Sequence, residues 1–264
     1  MTHKKSLRAR LGAVVAAAAT AACVATAVVP AAPAEAEPEL TITFVRHAES
    51  AGNASGLVDT KTPGPALTEL GRTQARQVAV LLEDRKFDGV FASRMIRTQQ
   101  TAAPLARKLF KHPVVLPGIH EILAGDYEGT PERDAPTGYM LAPQRWLRGD
   151  LAARIPGAES GTEFKARFTD SIAAVVKTRK TNAVVFSHGA TIMFGTILAS
   201  TNGREYMARL GTDYMKNVGR VVLKGNPTDG WRITEWVGNP TLPNVPDCIS
   251  TGSMMIDPST LAPC

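Results

Sequence analysis

Two short apolar runs, each ending in a histidine, constrain this chain more than any other feature. Ile42-Thr43-Phe44-Val45 leads into Arg46-His47-Ala48-Glu49-Ser50, with Asn53 just beyond, and Ala183-Val184-Val185-Phe186 leads into Ser187-His188-Gly189. β-Branched and aromatic residues concentrated in four positions, then giving way to small and polar ones, predict strands buried on both faces. Short apolar runs of this kind alternate with helical periodicity from Leu40 onward, the pattern of a sheet covered on each side. The fold class expected is α/β, a three-layer α/β/α sandwich with a mostly parallel central sheet. Ligands in such sheets collect at the carboxyl ends of strands, which is where both histidines fall.

The segments between the two runs read in the same way. Thr68 caps a helix whose Ala75, Val78, Ala79 and Leu82 share a face. Gly89 to Ala92 predicts a strand that feeds a helix carrying Arg97, with Pro104 expected to end or kink its first turns. Val114 to Leu116 reads as a strand, and Tyr127 to Gly157, rich in Pro, Gly and charge around Trp146, as an inserted lid. Ser160-Gly161-Thr162-Glu163 is a capping box that starts a helix running to about Thr178. Val218 to Leu223 and Trp231 to Trp236 predict a hairpin around Asn226-Pro227-Thr228-Asp229-Gly230. Prolines at 240, 243, 246, 258 and 263 predict an irregular C-terminal extension from about residue 238.

The first 36 residues read as a secretory signal peptide. Lys4, Lys5, Arg8 and Arg10 form a basic start, Leu11 to Val29 is an Ala/Val run, and Ala34-Glu35-Ala36 offers small residues at a cleavage site after Ala34 or Ala36. A retained anchor is the alternative, weakened by the modest hydrophobicity of alanine and by Pro30 and Pro33. Residues 37–264 are then a single catalytic domain, located outside the cytoplasm, secreted or in the cell envelope, with no stable membrane insertion after cleavage. The chain has 30 Lys+Arg against 24 Asp+Glu, and four of the former and one of the latter lie in the first 36 residues, so the mature chain carries only +3. No basic run with interleaved aromatics remains, which argues against nucleic acid as a partner. Cys248 and Cys264 survive cleavage, and in an oxidising compartment they are a candidate disulfide, with two free or intermolecular thiols as the alternative.

Between the two histidine motifs stand Ser93-Arg94-Met95-Ile96-Arg97-Thr98-Gln99-Gln100-Thr101-Ala102 and Glu121-Ile122-Leu123-Ala124-Gly125-Asp126-Tyr127-Glu128-Gly129. The set of four, in this order, resembles the histidine phosphatase superfamily, in its phosphoglycerate mutase-like branch. Leu67 to Ala75 and Pro156-Gly157-Ala158-Glu159-Ser160 are similar to linking segments of that branch, and the resemblance spans about Leu40 to Val237. Ala48 and Ser50, with no proline nearby, are unlike the acid phosphatase branch. The stretch Asp59 to Ala66 lengthens one loop relative to the family, and Thr98 stands where alanine is usual.

The resemblance implies roles. His47 is the nucleophile that forms a phosphohistidine, and Arg46, Arg97, His188 and Asn53 bind the phosphoryl group, whose spreading negative charge needs donors around it. Arg94 competes locally with Arg97. Glu121 is the family's proton donor, with Asp126 and Glu128 as alternatives. Neither a metal nor a cofactor is implied. The activity expected is an exported phosphomonoesterase acting on a small phosphorylated substrate; the alternatives are a mutase-type phosphotransferase and a silent phosphate-binding envelope protein. Oligomeric state is left open.

Overall fold

The computed structural model describes residue 1, residues 38–245 and, in the C-terminal tail, the backbone at 249–251, 254–257 and 262–263. The expected signal segment and the Cys248–Cys264 pair lie outside the described residues.

The chain runs β1 (Leu40–Arg46), α1 (Ala51–Ser55), α2 (Glu69–Leu82), β2 (Gly89–Ala92), α3 (Ile96–Lys108), β3 (Val114–Val115) and α4 (Leu141–Leu147). It continues through α5 (Gly161–Lys177), β4 (Asn182–Ser187), α6 (Gly189–Ala199), α7 (Arg209–Thr212), β5 (Arg220–Asn226) and β6 (Gly230–Val237). One sheet has the order β3-β2-β4-β1-β5-β6. The first four strands are parallel, whereas β5 runs antiparallel to β1 and closes a hairpin with β6. The sheet is therefore mixed, with a parallel centre, as the apolar runs require.

Alternation along each strand feeds two cores. Ile42 and Phe44 of β1, Ala183 and Val185 of β4, Phe91 of β2 and Val221 and Leu223 of β5 face one side, where Phe164, Phe168 and Ile172 of α5 and Ile192 and Met193 of α6 meet them. Val45, Val184, Phe186, Val90 and Ala92 face the other side, against Ala75, Val78, Ala79 and Leu82 of α2 and Ala102, Leu105 and Ala106 of α3. Helices on both faces of a shared sheet make the three-layer sandwich.

Two expectations need correction. Helix α3 continues through Pro104 to Lys108, because Leu105 and Ala106 beyond the proline are buried and hold the last turn on the core. The tail is not wholly irregular: β7 (Ile249–Thr251), β8 (Met254–Asp257) and β9 (Ala262–Pro263) form a small antiparallel sheet. Pro263 lies on the edge strand β9, the place in a sheet where proline is best tolerated. The stretch expected as a lid is fastened to the body. Trp146 of α4 stacks on Phe164 at 5.3 Å between ring centroids and donates to the Ala153 carbonyl at 2.8 Å.

Helix α2 braces the first histidine motif from behind. Thr68 caps it, its Oγ1 accepting from Gly71 N at 3.0 Å and donating to Glu49 Oε1 at 2.7 Å, while Thr68 N donates to the Glu49 carbonyl at 3.0 Å. A Cβ at position 71 would stand 1.9 Å from the Glu49 carbonyl oxygen, so only glycine lets the helix approach this closely. Gly71→Ala is expected to destabilise the protein by about 2 kcal/mol, roughly 4–8 °C in Tm, and to lower kcat/KM as well because the motif is displaced. Calorimetry and steady-state kinetics check it, and unchanged kinetics would show that the motif holds its place without α2.

Candidate active site

Strands β1 and β4 pair in parallel with Arg46 opposite Ser187, and His47 N donates to the Ser187 carbonyl at 2.9 Å. That register carries His47 and His188 off the sheet side by side, with ring centroids 5.2 Å apart. Both are buried, at 2% and 0% exposure, and His47 lines a cavity of about 740 Å³.

The Nδ1 of His47 lies 2.7 Å from the carbonyl oxygen of Ala48, which can only accept, so Nδ1 carries the proton. Nε2 then has a free lone pair, and it accepts from Arg97 Nε at 3.1 Å. Burial first, then the charges of Arg97 and Arg46, holds the His47 imidazole well below the ordinary histidine range. A neutral imidazole with its lone pair on Nε2 is the form that can attack phosphorus.

Around it converge donors that lack acceptors. Arg46 uses one guanidinium nitrogen on the Met215 carbonyl at 2.6 Å, and its buried Nε has no partner. Arg97 also holds the Asp59 carbonyl at 3.1 Å, and its buried Nη1, 3.9 Å from the Asp59 carboxylate, makes no hydrogen bond. His188 contacts Ser93 Oγ through Nε2 at 2.8 Å, and its buried Nδ1 is unpartnered. Unmet buried donors are costly unless a ligand satisfies them, and the two guanidinium groups suit an anion with several oxygens, as does His188 Nδ1 in the tautomer that protonates it. Asn53 lines the same cavity. Arg94 is exposed, whereas Arg97 is buried and lines the cavity.

Glu121 also lines the cavity. Its Oε1 accepts from Ile122 N at 2.9 Å, Thr191 N at 2.8 Å and Thr191 Oγ1 at 3.0 Å, and its Oε2 from Ala190 N at 3.3 Å. The loop bearing it is tied down by Arg167, which donates to the Gly118, His120 and Glu121 carbonyls and pairs with Glu159 at 2.7 Å. Glu159 itself accepts from Leu123 N at 3.0 Å, so the Pro156–Ser160 segment anchors the Glu121 loop. The two alternative acids stand elsewhere. Asp126 is exposed, and Glu128 is occupied by the backbone and hydroxyl of Thr60.

Sequence reasoning missed three participants. Asp59, in the lengthened loop, faces the cavity beside Arg97; burial raises its carboxyl above the ordinary range, Arg97 opposes this and Glu128 adds to it. Thr98, already conspicuous where the family has alanine, extends the Ser93 contact of His188 by one hydroxyl at 2.9 Å. Asn217 lines the cavity from the turn before β5, and no sequence pattern marked it. Among the described residues no group of three or more His, Cys, Asp or Glu side chains could hold a metal ion.

His120 is buried next to this site, and burial, then Arg167, lowers its pKa from 6.5 to about 4. Between those values the unfolded chain binds a proton that the folded one does not, so stability falls as pH falls through that window. His47 and His188, lowered for the same first reason, act in the same direction. Melting temperature is therefore expected to drop from pH 7 to pH 5, and His120→Gln, which cannot protonate, should flatten part of that drop. An equally steep drop in the variant would contradict the assignment.

Comparison with known proteins agrees with this geometry. Residues 42–238 match the histidine phosphatase superfamily (branch 1). The chain is 38% identical over 221 residues to the PE-PGRS family protein PE_PGRS11 of Mycobacterium tuberculosis, covering 77% of this chain but only 37% of that protein's length. It is 27% identical to a Hydrogenobacter thermophilus protein named "Putative phosphoserine phosphatase 2", over 64% of this chain and 83% of that one. It is also 27% identical to the "Probable phosphoglycerate mutase GpmB" of Yersinia pestis, over 75% and 90%. Among solved structures, a mycobacterial glucosyl-3-phosphoglycerate phosphatase superposes with a TM-score of 0.61 at 22% identity, covering 76% of this chain and all of that one, which shows a shared fold. The chain belongs to the histidine phosphatase superfamily, branch 1.

Proposed function

We propose that this protein is an exported phosphomonoesterase that hydrolyses small phosphate esters through a phosphohistidine on His47. The observation that carries the reading is a neutral His47 with its lone pair on Nε2, beside the unpartnered buried guanidinium N–H groups of Arg46 and Arg97 and the unpartnered Nδ1 of His188. Relatives named as phosphatases support hydrolysis, and the basic and apolar N-terminal segment supports export.

In the first step the ester phosphate takes the hydrogen bonds of Arg97 and the other clamp donors. His47 Nε2 attacks phosphorus in line, the P–O bond to the alcohol breaks, and Glu121 delivers a proton to the leaving oxygen. The phosphorylated ring is cationic, and Nδ1 keeps its proton, still donating to the Ala48 carbonyl. In the second step water gives a proton to the Glu121 carboxylate as its oxygen attacks phosphorus. The N–P bond breaks, and inorganic phosphate leaves a neutral His47. The developing charge on the equatorial oxygens is met by fixed donors throughout, which is where such sites lower the barrier most. Arginine matters here for its permanent charge and planar fork.

The protein is expected to release phosphate from phosphate monoesters in the presence of a chelator, and His47→Ala to abolish turnover; transfer between phosphoglycerate isomers faster than phosphate release would instead favour the mutase reading. Glu121→Gln should lose roughly 100-fold or more on an alkyl phosphate, whose leaving group needs a proton, and little on 2,4-dinitrophenyl phosphate, whose leaving group does not. Equal losses on both would remove Glu121 from the proton-transfer role. N-terminal sequencing of secreted material should begin at Glu35 or Glu37, and a start at Met1 would contradict export with cleavage.

A further inference from the structure

We infer that Asn217 is a positioning residue that, together with Ser50 N, holds the Asn53 amide with its Nδ2 end toward the substrate phosphate. The inference rests on the phosphatase reading of the site.

An asparagine amide is a two-faced ligand. Its Nδ2 attracts a phosphate oxygen, whereas its Oδ1 repels one, and the two differ by a half-turn about one bond. Something must fix that half-turn if Asn53 is to serve an anion. In this structure Asn53 Oδ1 accepts from Ser50 N at 3.3 Å, from Ser50 Oγ at 3.3 Å and from Asn217 Nδ2 at 3.2 Å. The Ser50 hydroxyl can donate or accept, but Ser50 N and Asn217 Nδ2 can only donate, so these two act on Oδ1 in the same sense. Among the described residues nothing accepts from Asn53 Nδ2, so that end is left for the cavity, which Asn53 lines.

The second proton of the same Asn217 nitrogen goes to the His47 carbonyl at 3.0 Å. Both protons of one amide are thus committed, one to the nucleophile's backbone and one to the neutral phosphate donor. Asn217 Nδ2 is a bracket between two residues of the site, and this also fixes its own amide against flipping.

The turn that presents Asn217 is built at some conformational cost. Gly219 N donates to the Lys216 carbonyl at 3.0 Å, closing a turn with Asn217 and Val218 at its centre. Val218 has φ of 57°, a left-handed conformation that a β-branched residue rarely adopts, and its side chain is buried in the core below α2 and α3. Strain of this kind persists where surrounding contacts require it. Here Val218 N donates to the Arg46 carbonyl at 3.2 Å and Arg46 N to the Gly219 carbonyl at 2.8 Å, so the turn is fastened to the strand end that delivers Arg46 and His47. Lys216 N, bonded to the Gly238 carbonyl at 2.7 Å, secures its other side.

A double-mutant cycle tests the assignment. The full-length protein and its Asn217→Ala, Asn53→Ala and doubly substituted forms are compared for KM on 4-nitrophenyl phosphate and for inhibition by inorganic phosphate. Asn217→Ala should raise KM and the phosphate inhibition constant roughly tenfold, the loss of one hydrogen bond to a charged ligand, with a smaller change in kcat. In the Asn53→Ala background the same substitution should change binding by less than about threefold, because there is no amide left to orient. The isosteric Asn217→Asp serves the same cycle if Asn217→Ala does not fold: its loss should be larger when Asn53 is present than when it is absent. Independent, multiplying losses at 53 and 217, or an unchanged KM in Asn217→Ala, would overturn the inference while leaving the hydrolase intact. A wild-type protein that binds phosphate without turning it over allows the cycle to be read on binding alone. One that does neither overturns the phosphatase reading, and the role of Asn217 falls with it.

Discussion

The site depends on one pairing, the parallel register of β1 with β4. Strand exits carry no chemistry by themselves, but Arg46 opposite Ser187 sends His47 and His188 out of the sheet as neighbours. Had the register slipped by one residue, the side chains of β1 would exchange cores, and Ile42 and Phe44 would meet α2 and α3 in space now filled by Val45 and its neighbours, which close packing opposes. The apolar pattern that stabilises the sheet is therefore also what aligns the two imidazoles. The antiparallel β5 on the other flank of β1 contributes the turn that closes behind Arg46.

Electrostatics then separates the roles of chemically similar groups. Two histidines share one buried space with two guanidinium groups, and burial acts with those charges to keep both rings neutral. Their hydrogen bonds make them different. The Ala48 carbonyl leaves the lone pair of His47 on Nε2, while Ser93 Oγ takes the Nε2 of His188 and leaves its Nδ1 without a partner. Glu121 is held against the first turn of α6, where backbone N–H groups and the positive end of the helix fix its position.

Much of this was legible in the sequence, for a physical reason that differs by element. Buried parallel strands need continuous apolar runs, so β1, β2 and β4 announced themselves, and the capping residues Thr68 and Ser160 marked the starts of α2 and α5. Arg97 and Glu121 came from resemblance rather than periodicity, and burial was needed to separate Arg97 from Arg94 and Glu121 from Asp126. Asn217 was not legible, because a turn residue acting through a single amide nitrogen leaves no periodic trace. Pro104 misled because a local breaker signal was overridden by the packing of Leu105 and Ala106 behind it. The region around Trp146 looked loose by composition, and it is the burial of one indole against Phe164 that fastens it.

The hydrogen bond from Arg97 Nε to His47 Nε2 has a meaning for the enzyme at rest. A lone pair shared with a guanidinium is a poor nucleophile toward any neutral electrophile, since nothing neutral competes well for that cation. On the phosphatase reading an anionic ester would compete, drawing the guanidinium onto itself and uncovering the nitrogen beside its own phosphorus. On that reading the group that quiets the resting histidine is the one its substrate recruits.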